Sequence, residues 1–309
     1  MRAIVIDRFG GPEELVLRDL AEPEPRDGEI RVRVVAAAVN PVDLKTRAGA
    51  YAKNMGAIPF PMILGWDLAG VVDAIGPGVT GHSVGERVVA MSAQVGTGRG
   101  TYAERVVLPA ELCAAAPRGT GGDLATAAAL PLAAVTALQG LRTLGLAPGQ
   151  TLLVTGGVGA VGGFALQLAA HAGVQTIALV AGKDADLAAR LGAGRVLVRE
   201  SGATAPPLPR GEVDGVFDTV GAGASIAAAR DGGRYITTVG GTLPLAEREI
   251  VPEEFSVTEN GVDLTVASGL VDAGVLTLRI ARELPFDAGQ EAHRLLAAGG
   301  LGGKILLCL

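Results

Sequence analysis

Six consecutive residues, Gly157-Val158-Gly159-Ala160-Val161-Gly162, have the spacing of a turn that cradles a phosphate. The apolar run Leu152-Leu153-Val154 precedes them, and a helix-like run, Phe164-Ala165-Leu166-Gln167-Leu168-Ala169, follows. In a strand–turn–helix setting the first glycine permits a tight turn and the second lets backbone N–H groups approach a pyrophosphate. The third lets the helix pack on the strand. The anion then meets the positive end of a helix dipole. The same letters would suit an ordinary glycine-rich turn, but their flanks point to a dinucleotide.

The end of the following strand reads the ribose: an acid there binds a 2′-hydroxyl, a cation a 2′-phosphate. The sequence there is Ala178-Leu179-Val180-Ala181-Gly182-Lys183-Asp184, with no acid at the strand end. Lys183 favours NADPH over NADH, although Asp184 beside it pulls the other way. Elsewhere metal chemistry finds little support. Two cysteines, Cys113 and Cys308, cannot build a four-cysteine lobe, and His82, His171 and His293 show no ligand spacing. Tyr51 is a candidate proton donor, a task that bulk water also performs.

Two textures surround these residues. Segments at 3–7, 29–37, 70–74, 87–91 and 102–108 are rich in Val and Ile and bounded by Gly, Pro or Asp, which predicts an all-β, barrel-like module. From about Leu124, Ala-rich helical runs alternate with short strands at 151–155, 176–180, 195–198, 215–218 and 234–239. That alternation predicts βαβ units on a parallel sheet. Residues 124–141 read as a buried helix and Ala205–Pro209 as a surface loop. A terminal strand at 304–308 needs a partner that texture does not identify. With 49% apolar and 19% charged residues the chain can bury a core, while 3% aromatic residues and a net charge of −6 argue against nucleic acid. The N-terminal run Met1-Arg2-Ala3-Ile4-Val5-Ile6-Asp7 meets a charge too soon for a signal-peptide core, and the reading is a cytoplasmic protein with no membrane span.

Several segments together resemble one family. These are Phe9-Gly10-Gly11-Pro12-Glu13, Asn40-Pro41-Val42-Asp43-Leu44-Lys45-Thr46-Arg47-Ala48-Gly49, Pro61-Met62-Ile63-Leu64-Gly65-Trp66-Asp67-Leu68-Ala69-Gly70 and Val84-Gly85-Glu86-Arg87-Val88. Gly100-Thr101-Tyr102-Ala103-Glu104, 129–137, Phe217-Asp218-Thr219-Val220-Gly221 and Gly303-Lys304-Ile305 continue the series. In this order they are similar to the medium-chain dehydrogenase/reductases, in the zinc-free branch of zeta-crystallin-like quinone oxidoreductases and enone reductases. The resemblance implies an α/β chain: a GroES-like β-barrel catalytic domain over 1–118 with a return at 263–309, and a doubly wound Rossmann domain over 119–262. The final strand then belongs to the first domain.

Zinc relatives place ligands where this chain has Asn40 and Trp66-Asp67. An amide is a poor ligand and an indole none, so the resemblance implies no metal. A hydride added to an enone or quinone leaves an anion that is already delocalised, and hydrogen-bond donors suffice to hold it. The resemblance assigns Asn40 and Lys45 to the nicotinamide and the nascent anion, and Thr136, Val239, Gly240 and Asn260 to the cofactor. Lys45, where quinone-reducing relatives often carry Tyr, turns the expectation from quinones towards enones. One-electron quinone reduction, enoyl-thioester reduction and a non-catalytic NADPH-binding relative are the alternatives. Homodimerisation is a family expectation. Asp43 and Arg47 read as a helix-face charge pair.

Overall fold

The computed structural model describes residues 1–53, 60–199 and 210–309. The loop expected at 205–209 lies outside them, as do residues 54–59. One compact unit holds Met1–Leu132, Thr258–Gly274 and Leu278–Leu309, and a second holds Ala133–Val257 and Val275–Thr277.

Along the first unit run β1 (Arg2–Ile6), β2 (Val16–Asp19), β3 (Glu29–Val39), α1 (Pro41–Arg47), β4 (Met62–Ile63), β5 (Asp67–Ile75), β6 (Arg87–Met91), α2 (Gln94–Thr97), β7 (Arg105–Pro109) and β8 (Cys113–Ala115). Strand β3 organises them. Its first half pairs with β7, Glu29 opposite Pro109 through Arg33 opposite Arg105, while β5 runs antiparallel along its other edge. Val32 and Val34 are buried and Arg31 and Arg33 point outward, the period-2 pattern of a half-buried strand. Strand β1 joins β2 and β4 in a small antiparallel sheet.

The apolar stretch at 124–141 is not one helix. A 3-10 turn over Ala125–Ala129 stops at Leu130, and α3 (Pro131–Leu144) starts anew with proline in its first turn. Proline lacks the N–H that would continue the preceding turn, yet its fixed φ suits a helix start. The 3-10 turn packs on β3 and β5, which is why the first unit extends to Leu132 where the sequence reading placed its edge at 118.

The second unit continues with β9 (Thr151–Thr155), α4 (Ala160–His171), β10 (Gln175–Ala181), α5 (Ala185–Arg190), β11 (Arg195–Arg199), β12 (Val213–Asp218), β13 (Ala229–Thr237) and β14 (Pro252–Glu254). All pairings are parallel and the order is β11-β10-β9-β12-β13-β14. This is the 3-2-1-4-5-6 order of a Rossmann sheet, with its switch point beside β9. The edge strand β14 escaped the sequence reading because it is three residues long and begins with proline.

Then α6 (Gly261–Asp272), β15 (Ile280–Pro285), α7 (Gly289–Ala298) and β16 (Lys304–Cys308) return to the first unit. β16 pairs antiparallel with the second half of β3, Ile305 opposite Val39 through Cys308 opposite Ala36, as the family resemblance requires. Both cysteines are free. Among the described residues no helix is long and apolar enough to cross a membrane.

Candidate active site

In the first unit, Asn40 follows β3, Trp66 precedes β5 and Ser92 follows β6. The register puts Ala38, Asp67 and Met91 side by side, so all three turns leave the sheet at one edge. Here lies a buried polar cluster. Lys304 Nζ donates to Asn40 Oδ1 and to Asp67 Oδ2, the latter at 2.8 Å. Asn40 Nδ2 donates to Asp67 Oδ2 at 2.9 Å and to the Ala38 carbonyl at 3.2 Å. The other carboxylate oxygen of Asp67 accepts the Leu132 N–H at 2.7 Å. Lys304 is 5% exposed and Asp67 not at all. The amide of Asn40 is therefore committed inward, not a free donor towards a ligand. Lys304 is the residue that sequence reading passed over. A lysine opening an otherwise apolar terminal strand was the available signal.

A second buried chain runs beneath α1. Asp43 Oδ2 accepts the Asn40 N–H at 2.8 Å and the Tyr102 hydroxyl at 3.0 Å. Arg47 donates to His293 Nδ1 at 2.9 Å and to the Gly10 carbonyl at 3.2 Å, and His293 Nε2 lies 3.4 Å from the Tyr102 oxygen. Asp43 and Arg47 thus do not pair. Each turns into the core, because position three of α1 completes the helix start and Arg47 faces α7. Burial pushes the Asp43 carboxyl up to about 7 against the pull of the Asn40 N–H and Tyr102. Burial first, and then the Arg47 charge, bring His293 down to about 3, so it stays neutral.

The remaining candidates of this unit are more dispersed. Lys45 is half-buried on α1. Tyr51 is partly buried and packs against the apolar cluster that holds Leu64 and Tyr102. Asn260 lies in this unit and not in the Rossmann sheet: its Oδ1 caps α6 by accepting the Asp263 N–H at 2.9 Å. That capping bond gives it a structural task.

In the second unit the glycine turn joins β9 to α4. The positive φ of the turn falls on Gly156, at 63°, one residue earlier than the motif suggested. A Cβ on Gly157 would come within 2.9 Å of the Ala178 side chain on β10. At Gly162 it would collide with the Gly156 carbonyl, so only glycine lets α4 approach the turn. At Gly159 it would meet nothing but that carbonyl, at 3.1 Å. Val158, Ala160 and Val161 fill the turn between them. The 12-residue α4 thus starts behind a glycine N-cap, Gly159, where a pyrophosphate would sit.

Asp218, buried at the end of β12, accepts from Thr155 Oγ1 at 2.5 Å and from Tyr235 at 2.9 Å, tying the ends of β9, β12 and β13. Lys183 follows β10 on an exposed 3-10 turn, Gly182–Asp184, and α5 begins only at Ala185. Val239 and Gly240 follow β13 at the same edge of the parallel sheet, and Thr136 is buried on α3. A cleft of about 630 Å³ near Thr151, Gln175 and Arg195 opens at the opposite ends of these strands and belongs to no part of this site.

Replacing Lys304 by Met leaves the Asp67 carboxylate buried without its cation. A loss of about 3–5 kcal/mol is expected in urea denaturation, part of which Asp67→Asn restores in the double variant. His293 is neutral in the fold. Its contribution is complete above pH 6.5 and is lost as pH falls from 6.5 towards 3. Asp43 acts in the opposite sense, its contribution fading as pH rises from 3.8 to about 7. His293→Gln removes the first term, so its melting temperature is expected to fall less steeply than wild type below pH 6.5.

Two family models match the sequence, "Alcohol dehydrogenase GroES-like domain" over residues 26–118 and "Zinc-binding dehydrogenase" over 191–307. A 2-methylene-furan-3-one reductase of Solanum lycopersicum is 31% identical, over 99% of this chain and 79% of that protein. An NADPH-dependent alkenal/one oxidoreductase, chloroplastic, of Arabidopsis thaliana is also 31% identical, with the same coverage. Among solved structures, a quinone oxidoreductase of Coxiella burnetii superposes with a TM-score of 0.89 at 28% identity, over 100% of this chain and 99% of that one.

Proposed function

Because this chain belongs to the medium-chain dehydrogenase/reductase superfamily and is an oxidoreductase, we propose that it is a zinc-independent, NADPH-dependent reductase of α,β-unsaturated carbonyls, with quinones as a second acceptor class. The observation that carries this reading is the Lys304 ammonium on Asn40 and Asp67. A zinc site needs three N, S or O ligands open to the ion. Here the carboxylate already holds a cation, the amide is spent, and Trp66 offers no ligand atom. The residues do not fit zinc, although one of the matching families is named for it.

The dinucleotide, by contrast, is well matched. The turn at Gly157–Gly162 would receive the pyrophosphate, Lys183 the 2′-phosphate, and Thr136, Val239 and Gly240 the nicotinamide end. When bound, NADPH supplies the hydride. An acceptor held there would gain that hydride at its β-carbon as the cofactor's C4–H bond breaks, and its carbonyl oxygen would carry the charge as an enolate. A proton then adds to the α-carbon, from Tyr51 or from solvent. Lys45 supplies a fixed positive charge to the anion. Asn40 acts as an anchor through Asp67, not as a direct donor. The family resemblance is the support for a cytoplasmic homodimer, and the net charge of −6 argues against a nucleic-acid partner.

Purified protein, analysed for bound metal, is mixed with NADPH and a panel of enones, alkenals and quinones. Turnover of enones by metal-free protein is expected. Cofactor binding with no acceptor reduced would contradict the reading and favour a non-catalytic relative. A lower KM for NADPH than for NADH is expected, and Lys183→Ala should raise the NADPH value about ten-fold, the worth of one charge-assisted hydrogen bond, without changing that for NADH.

A further inference from the structure

Buried side-chain polar atoms without a hydrogen-bond partner are uncommon. Among the described residues there are six, and four of them belong to three residues of the first unit: Trp66 Nε1, both amide atoms of Gln94, and Thr101 Oγ1. The three share one place in the fold. Trp66 immediately precedes β5, and its carbonyl accepts the Ser92 N–H at 2.7 Å just after β6. Gln94 opens α2 two residues on, and the Gln94 N–H returns to the Ser92 carbonyl at 2.8 Å. The Thr101 N–H reaches the Gly65 carbonyl at 3.2 Å, and its hydroxyl lies against the Cα of Gly65, where a Cβ would collide with it. Gln94 and Thr101 have no exposed surface, while Trp66 keeps 9%.

The contrast with the neighbouring groups is informative. At the same sheet edge Asn40, Asp67 and Lys304 are bonded to one another, so packing there is good enough to pair what is meant to pair. Three of the four can donate: an indole N–H that only donates, an amide NH₂ and a hydroxyl, while the fourth, Gln94 Oε1, only accepts. Such donors, held out of water, complement an oxygen on which negative charge develops.

We infer that Trp66 and Gln94, with Thr101 beside them, bind the carbonyl oxygen of the acceptor and hold it as it becomes an enolate oxygen. This rests on the reductase reading above and assigns it donors that Asn40 cannot supply. The backbone of α2 is tied down by the Ala93 N–H on the Glu259 carboxylate, and the Gln94 side chain has the rotatable bonds needed to meet the oxygen. The indole of Trp66 supplies the second bond and the apolar wall.

The test uses two variants, Trp66→Phe and Gln94→Leu, with methyl vinyl ketone as acceptor. Gln94→Leu deletes a donor and little volume, whereas Trp66→Phe deletes a donor together with part of a buried ring. In each, kcat/KM for the enone is expected to fall about 10²-fold, while the NADPH Kd from fluorescence titration stays the same. The melting temperature of Gln94→Leu should be unchanged or higher, because an orphaned polar group has been replaced by an apolar one, while Trp66→Phe is expected to lose some stability to the cavity. A structural role would give the opposite split, lower melting temperature with kcat/KM retained, and that result overturns the inference. So does a kcat/KM within two-fold of wild type in both variants. A wild-type protein that reduces no enone overturns the reductase reading as well, whereas active wild type with unaffected variants overturns this inference alone.

Discussion

A buried ammonium organises the catalytic unit. Lys304 arrives on the last strand, 264 residues after Asn40 and 237 after Asp67, and its two bonds join the chain's end to the turn after β3 and to the start of β5. Such a cluster is costly to desolvate, and the bonds of the ammonium, the amide and both carboxylate oxygens offset that cost. It therefore acts as a register pin. With β16 shifted by one residue the ammonium would face the other side of the sheet and the carboxylate would lose its cation. The same bonds carry the proposal of metal-free chemistry, since they occupy the carboxylate and amide that a metal would need.

From this pin the rest of the site follows outward. Asn40 is held by its side chain, so its N–H can start α1 and bond Asp43. Asp43 in turn orients Tyr102, and the neutral His293 and Arg47 close the chain against α7. Lys45 is carried on the outer part of that same short helix. In the other unit, Asp218 performs the equivalent task by tying three strand ends together next to the glycine turn. In both units a buried carboxylate ties together strand ends at one edge of a sheet.

Much of this was readable in the sequence, for physical reasons. The glycine turn and alternating β and α segments declare themselves by local steric needs and periodicity, and β16 and β6 fall where their apolar runs begin and end. Long-range pairing was less legible. Nothing local says that Lys304 meets Asp67, or that Asn40 spends its amide before any ligand arrives. Asn260 shows the same limit: Asn before Gly261-Val262-Asp263 reads equally as a cap and as a ligand contact, and only the structure shows that it caps α6. Proline at 131 split a helix that hydropathy alone joined. The orphaned donors of Trp66 and Gln94 could not be seen at all, since orphaning depends on every neighbour.

The central claim is that hydride reaches a β-carbon with no metal to polarise the acceptor. Protein dialysed against chelator, and shown by elemental analysis to be free of zinc, would be given an enone and NADPH deuterated at C4 of the nicotinamide. The account predicts a saturated ketone with one deuterium on the β-carbon, formed at an undiminished rate. Deuterium at the carbonyl carbon of an allylic alcohol, or a rate that returns only on adding zinc, would contradict it.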